Sequence, residues 1–340
     1  MCIRDRTKAI ICFDTSSCGA VRQAKIADFV SCLQWDYLYE PTPNDVSGMS
    51  FFDAQMKLFN TQNPNSNGYY GSPKHLKERD KYLNDLINYD RIEMWIGPSL
   101  HDQISAFHIL SILGELGQIK RQLFVNHLPV VAGIMNQEQV LSVQSKAILP
   151  DKGIYLEAEQ YWAAFKSSTP ELWVNLLNQK SKFFPYFDRI HKVFLLQLPL
   201  EPTKLRLVDL QILKYVNSGV KKTVHLFGNV LYDDCEEYRI MNEKVVWDAI
   251  FGMANAHTPA ISGLPPEPFD YYSNEETEIS KRMKYFNSCP SLTQFGEALL
   301  ENNANWIDQN TYDYWWGGTH ITRENMWSLD PKSEKLIPPS

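Results

Sequence analysis

Two patterns of hydrophobic and polar positions alternate along the first 150 residues. Short apolar runs end in small or polar residues, and stretches with apolar positions about every 3.6 residues follow them. The runs predict buried strands and the stretches predict helices. Their alternation predicts an α/β fold, a Rossmann-like or flavodoxin-like parallel-sheet domain over residues 8–150. The predicted strands cover residues 9–13, 29–34, 90–96 and 122–125, and the predicted helices cover residues 20–29, 74–87 and 102–116.

After about residue 150 the pattern becomes mainly helical. Residues 151–202 predict a helical connector, and residues 203–340 predict a helical domain of their own. Gly317 and Gly318 separate an aromatic run from a short β-type run, which predicts a terminal β-hairpin. Two polar stretches predict a loop or lid at residues 60–73 and a linker at residues 265–278. The predicted helices cover residues 156–167, 172–178, 183–187 with a further helix through 198, 205–216, 243–254 and 291–300.

The 340-residue chain has a formal net charge of −7, and the acidic excess lies in its second part. Residues 201–340 hold 13 Lys and Arg against 20 Asp and Glu, whereas the first 200 residues are balanced. An acidic surface repels a phosphate backbone, so this charge disfavours nucleic acid as a partner. No apolar run approaches the length of a membrane span, and we expect no membrane partner.

The six cysteines show no C-x-x-C pair and no clustered His partners, so their spacing predicts free thiols and no metal site. Free thiols are typical of the reducing cytoplasm, where we expect the protein to reside. Residues 1–6, MCIRDR, resemble a leader that recurs in translated metagenome assemblies, and the fold prediction leaves them out. The chain lacks G-x-G-x-x-G and the Gly-Lys-Ser/Thr ending of a Walker loop, so it names no cofactor and does not indicate ATP hydrolysis.

The stretch FDTSSCGAVRQA at residues 13–24 lies between the first predicted strand and its helix. In an open α/β sheet, ligands bind where the carboxyl ends of strands meet the amino ends of helices. Polar residues also follow the other predicted strands. They should therefore lie at the same carboxyl edge of the sheet, which we call the rim. We therefore predict catalytic roles for Asp14, His101 and Asp102, and ligand contacts from Thr15, Ser16, Ser17, Gly19, Arg22, Asp36, Asn126 and His127.

The polar residues that begin with Asp14 have two interpretations. One is a cradle for a phosphate or carboxylate, because N–H groups at a helix start favour an anion and Arg22 can supply a counter-charge one turn on. The other is simple capping of the helix by a hydroxyl side chain. Capping needs only one such residue, whereas the stretch holds four consecutive polar residues, Asp14 to Ser17. The additional polar residues favour the cradle.

His101 and Asp102 follow the third predicted strand and have the residue types of a positioned general base. Alternatively, Ser99 or Asp102 caps the next helix, and adjacent residues of a helix do not face one another. Cys18 at a helix start is a weaker candidate, a nucleophile whose thiol pKa would be lowered by the helix.

Four segments coincide in order: DTSSCGAVRQA, WIGPSLHDQISAFHIL, YWAAFKSSTPELWVNLL and LTQFGEALLENNANWIDQNTYDYWWGGTHITRENMWSLD. Together they resemble the bacterial family known as domain of unknown function 1835 with its carboxy-terminal extension, from about Lys8 to Asp330. The resemblance implies a Rossmann-like amino domain, a helical middle and a winged-helix-like end, with no assigned activity. This chain has Phe13-Asp14-Thr15 where the family usually has Gly-Asp-Ser, and Cys18 where relatives often have Ala or Ser.

Two functions from different classes fit these patterns. The first is an enzyme or binding protein for a phosphorylated or nucleotide-like small molecule on the strand-end rim, with group transfer or hydrolysis as the reaction if it is catalytic. The second is a ligand-sensing regulatory or protein-interaction module that acts through the winged-helix-like domain. The acidic charge disfavours DNA as the partner of that domain. The sequence determines neither the substrate nor the oligomeric state.

Overall fold

The chain forms two compact units in the computed structural model. The first comprises residues 1–191 with 317–319, and the second comprises residues 192–316 with 320–340. The predicted domain boundaries after residues 150 and 202 stay predictions, because compactness alone does not identify independently folding domains. The structure describes residues 8–33, 35, 37–38, 41–45, 50–62, 86, 88–116, 123–177, 179–232, 243–270 and 273–339.

The first unit contains a four-stranded parallel sheet, which confirms the predicted α/β class with a parallel sheet. The strands in chain order are β1 (Lys8–Cys12), β2 (Phe29–Cys32), β3 (Arg91–Ile96) and β4 (Leu123–His127). Their order across the sheet is β2-β1-β3-β4. The chain therefore moves to one side of β1 to form β2 and then returns to the other side to form β3 and β4.

Helices cover both faces of this sheet. Those described for the first unit are α1 (Thr15–Ala24), α2 (Ser50–Gln62), α3 (Leu100–Leu116), α4 (Gln137–Val143), α5 (Gly153–Phe165) and α6 (Glu171–Val174). Ile10 and Cys12 pack with residues of α1 and α4 in one core, and Ala9 and Ile11 between them are equally buried. Because successive side chains of a strand point to opposite faces, both faces of the sheet are covered.

Several helices of the first unit differ from the sequence prediction. α1 begins directly after Asp14, earlier than the predicted range 20–29, because a cap lets residues of low helix propensity start a helix. α2 and α4 were not predicted, and α2 includes residues 60–62 of the predicted polar loop. Residues 63–73 of that loop, and residues 74–85 and 87 of the predicted helix 74–87, lie outside the described residues.

The second unit is mainly helical, with short strand pairs. A buried aromatic stack holds three of its helices together: the Trp247 ring stacks on the Phe227 and Phe286 rings, with centroid distances of 4.2 and 4.9 Å. Its helices are α7 (Phe187–Leu195), which begins in the first unit, α8 (Leu207–Asn217), α9 (Thr223–Leu231), α10 (Glu243–Asn255), α11 (Glu276–Asn287), α12 (Gln294–Leu300) and α13 (Trp306–Gln309). Its strands are β5 (Ile261–Ser262), β6 (Ser291–Leu292), β7 (Tyr314–Trp316), β8 (Thr319–Ile321), β9 (Ser328–Asp330) and β10 (Lys335–Ile337).

The predicted terminal hairpin is present as β7 and β8. Gly317 in its turn has φ of +55°, a backbone conformation that glycine adopts without steric cost. α9 and α11 were not predicted, and α11 takes up residues 276–278 of the predicted linker.

Candidate functional site

Asp14 starts α1 at the carboxyl end of β1. Its backbone is extended, and its Oδ1 accepts a hydrogen bond of 2.7 Å from the Ser17 N–H. Its carbonyl accepts the first helical bond, from the Cys18 N–H at 3.1 Å. Thr15 and Ser16 are exposed, and their N–H groups precede that first helical bond. The cap is thus Asp14 and not a hydroxyl residue, and the exposed start of α1 carries N–H groups that favour an anion.

The turn after β4 lies against the start of α1. The Gly133 N–H donates a 3.1 Å hydrogen bond to the Ser17 hydroxyl. A Cβ atom on Gly133 would lie 2.7 Å from the Ser16 Cβ, closer than real side chains approach. Ser17 therefore has a structural bond in addition to the predicted ligand contact, and the close approach requires glycine at position 133.

The end of β3 is tied to the start of α3 by a network around Gly97. The Gly97 N–H donates to Asp102 Oδ2 at 2.9 Å, and Gln103 Nε2 donates to the Gly97 carbonyl at 2.7 Å. The Ser99 hydroxyl accepts from the Asp102 N–H at 3.0 Å and so caps α3. The Asp102 carboxyl group and the Gln103 amide are both almost completely buried. The capping interpretation therefore holds for Ser99, and the Asp102 side chain bonds to the strand end.

His101 connects α3 to the end of β1. Its Nε2 lies 2.9 Å from the Phe13 carbonyl oxygen. Because a carbonyl oxygen only accepts hydrogen bonds, Nε2 carries a proton, and the neutral ring has its lone pair on Nδ1. Nδ1 forms no hydrogen bond with the described residues. His101 can therefore accept a proton only through Nδ1.

Asp102 is the titratable group at this edge whose pKa is raised towards neutrality. The pKa of its carboxyl group is raised to about 6, mainly by burial and in addition by the negative charge of Asp14, while His101 opposes the shift. The hydrogen bond between His101 and the Phe13 carbonyl joins the segments that carry Asp102 and Asp14, so both carboxyl groups belong to the same edge of the sheet. His127 at the end of β4 has its pKa lowered to about 4 by burial, so its ring is neutral at pH 7.

Several buried polar atoms near the carboxyl ends of the strands have no hydrogen-bond partner among the described residues. They are Asp14 Oδ2, Gln103 Oε1, Asn126 Oδ1 and His127 Nδ1. A buried polar atom without a partner costs about 1–3 kcal/mol. Asn126 and His127 are consecutive in β4 and point to opposite faces, so the structure does not bring both to one pocket.

Three predicted site residues lie away from this edge or outside the described residues. Arg22 is in the last turn of α1, and its guanidinium donates to the Val30 carbonyl at 3.0 Å. Gly19 is exposed, and a Cβ atom built on it would meet no atom within 4 Å, so no close approach requires glycine there. Asp36 lies outside the described residues.

A group of three thiols lies under α1 and was not predicted from the sequence. Cys12 and Cys32 are opposite each other in β1 and β2, and the Cys18 thiol contacts both. Hydrogen bonding to Cys12 and burial raise the pKa of Cys18. Its predicted lowered pKa is therefore wrong, because the thiol points into the core and not towards the exposed helix start. The sequence signal that could have predicted this group is the position of Cys12 and Cys32 near the ends of two predicted parallel strands.

The chain matches no family model, and no curated protein is similar to it. The resemblance to domain of unknown function 1835 stays a prediction. Among the described residues, no three His, Cys, Asp or Glu side chains come together as a metal site. Within the same residues, no helix combines the length and apolar character needed to cross a membrane.

Proposed function

We propose that the first unit is an enzyme or binding protein for a phosphorylated or nucleotide-like small molecule, held where β1 and β3 end. The observation that carries this proposal is the proximity of Asp14 and Asp102. They follow different strands, the hydrogen bond from His101 to the Phe13 carbonyl joins their two segments, and Asp14 Oδ2 is buried without a partner among the described residues. Carboxyl groups in this condition are costly for folding, and they concentrate at functional sites.

The strand order supports the location. Because β2 lies on one side of β1 and β3 on the other, the connections that leave β1 and β3 run in opposite directions and leave a crevice between them. Open α/β sheets bind ligands in this crevice, at the carboxyl ends of the strands. The order β2-β1-β3-β4 is also that of a flavodoxin-like sheet, which is the Rossmann-like variant that we propose for the amino domain.

The start of α1 supports an anionic ligand group. Thr15 and Ser16 offer exposed hydroxyl groups and backbone N–H groups at the positive end of the helix dipole. The Asp102 carboxyl group repels phosphate when it is charged. We therefore place the phosphate on α1 and a hydroxyl or amino group of the ligand at Asp102.

The chemistry of Asp102 supports proton transfer. A carboxyl group with a pKa of about 6 exchanges its proton close to neutral pH, which suits a general acid or base. His101 Nδ1 offers a second proton acceptor beside it. Group transfer or hydrolysis needs such proton movement and no redox cofactor, and these are the reactions that we propose.

Thermal unfolding in the presence of nucleotides and sugar phosphates tests this proposal. A ligand at a hundred times its dissociation constant stabilises the fold by about 2.7 kcal/mol, which gives a measurable rise in Tm. Asp14→Asn and Asp102→Asn keep the size of each side chain and remove its charge. Asp151→Asn changes an exposed carboxyl group of the same unit and is the matched control. We expect ligand stabilisation of the wild type and the control, and a loss of it in both rim variants.

Two outcomes would contradict the proposal. The first is that no compound of either class raises Tm. The second is that the Asp14→Asn and Asp102→Asn proteins respond as strongly as the wild type, which would mean that the ligand binds elsewhere.

A second candidate function is a ligand-sensing regulatory or protein-interaction module that acts through a winged-helix-like second unit. α8, α9 and α10 precede β5, and β6 pairs antiparallel with β5 after α11, so three helices and a strand pair are present but a helix separates the two strands. Ile279 and Met283 are exposed one turn apart on α11, and such a pair favours a protein partner. A salt-dependent shift of DNA in a gel would point instead to nucleic acid, which the acidic charge opposes.

A further inference from the structure

A cavity of about 420 Å³ lies at the opposite end of α1 from the candidate site. Its lining residues are Arg22, Lys25, Ala27, Asp28, Phe29 and Val30. Asp28 and Phe29 enter β2 at its amino end, whereas Asp14 and Asp102 lie at the carboxyl ends of the strands. The cavity is therefore separate from the rim, and its volume is within the range of small-molecule pockets.

Two cations of α1 face this cavity without an acidic partner. Neither Arg22 nor Lys25 forms an ion pair with the described residues. Both line the same cavity, Arg22 from the last turn of α1 and Lys25 from the residue that ends the helix. Two like charges that line one cavity repel each other, and an anion between them would remove that cost.

Backbone hydrogen bonds fix the Arg22 guanidinium and the main-chain conformation of Lys25. The Arg22 guanidinium donates one N–H to the Val30 carbonyl at 3.0 Å, which leaves its other N–H groups for a ligand. Lys25 ends α1 in the left-handed conformation, with φ of 54°, and its N–H bonds to the Arg22 carbonyl. Part of the entropy of fixing the Arg22 side chain is thus already lost before a ligand binds.

The negative charge of Asp28 offsets only part of the positive charge of Arg22 and Lys25. Its Oδ2 accepts a 2.7 Å hydrogen bond from the Lys8 N–H, which stabilises the carboxylate where it is. The remaining lining from Ala27, Phe29 and Val30 includes apolar surface, and the Phe29 ring stacks on Tyr89 at 5.4 Å between centroids. The cavity thus combines a net positive charge with an apolar wall.

We propose that this cavity binds a small anion that carries a carboxylate or phosphate on an apolar body. The oxyanion contacts the Arg22 guanidinium and the Lys25 ammonium, and the apolar body lies against Ala27, Phe29 and Val30. This site is independent of the rim and of the function proposed for it. Arg22, which the sequence analysis assigned as a counter-charge for the rim, belongs to this second site.

Titration calorimetry of the full chain with phenyl phosphate, benzoate and neutral benzyl alcohol tests the proposal. We expect saturable binding of at least one of the two anions and much weaker binding of the alcohol. Binding of phenyl phosphate alone would identify a phosphate site, and binding of benzoate alone a carboxylate site. Arg22→Gln and Lys25→Gln should each weaken the anion about tenfold or more. Lys182→Gln, at an exposed lysine of the same unit, should not.

Arg22→Gln also removes a hydrogen bond to β2, so its effect on folding is measured separately by thermal unfolding. Lys25→Gln leaves that bond in place and keeps the test independent of folding. Asp14→Asn changes the rim and should bind the anion as the wild type does. The proposal is overturned if neither anion binds saturably, if the alcohol binds as tightly, or if Lys25→Gln has no effect.

Discussion

Replacement of Asp102 by Asn should remove a loss of stability that the wild-type protein undergoes as the pH rises. The pKa of Asp102 is about 6 in the folded protein, and the ordinary value is 3.8. Between these values the folded state binds more protons than the unfolded state. The contribution of Asp102 to stability is therefore favourable at low pH and is lost as the pH rises from about 4 through about 6.

The size of the effect follows from the two pKa values. A difference of about 2 units corresponds to about 3 kcal/mol lost above pH 7, because each unit is worth about 1.4 kcal/mol. The same relation gives a change of about 1.4 kcal/mol between pH 5 and pH 8. Asn has no charge to desolvate and can still accept a hydrogen bond from the Gly97 N–H. Any other cost of the substitution is independent of pH.

Urea unfolding of the wild type and of Asp102→Asn at pH 5, 6, 7 and 8 measures this contribution. We expect the variant to gain stability relative to the wild type by about 1.4 kcal/mol as the pH rises from 5 to 8. The exposed control Asp151→Asn should show no such trend. A difference between variant and wild type that is the same at every pH would refute the raised pKa, and with it the acid–base role of Asp102.

Three further substitutions or reactions test the local geometry. Gly97→Ala should destabilise the first unit by about 1–3 kcal/mol, because its Cβ would lie 2.4 Å from Asp102 Oδ2; an unchanged Tm would contradict this. Ser17→Ala should cost about 1–2 kcal/mol in urea unfolding, because the Gly133 N–H loses its acceptor; equal stability would show that this bond is not formed. Iodoacetamide at pH 7.5 should modify exposed Cys289 well before buried Cys18, whose pKa is raised, as followed by peptide mass spectrometry; equal rates would contradict the burial of the thiol.

The strands and the polar residues at their carboxyl ends could be predicted from the sequence, because they depend on local signals. An apolar run such as residues 9–12 cannot be placed in water at low cost, so its burial as a strand follows from its composition. Asp14 and the Gly97 segment come together because parallel strands end at one edge whatever their order. Local signals failed at α1, where four consecutive polar residues read as a loop although Asp14 caps a helix.

The sequence by itself determined the alternation of strands and helices, the parallel sheet and the polar residues at its carboxyl edge. Only the tertiary structure decided that β1 and β3 are neighbours, which makes Asp14 raise the pKa of Asp102. It also decided that Gly133 packs on Ser17. The physical reason is range: burial and capping depend on residues within a few positions, whereas strand order and charge coupling depend on contacts between segments about a hundred residues apart.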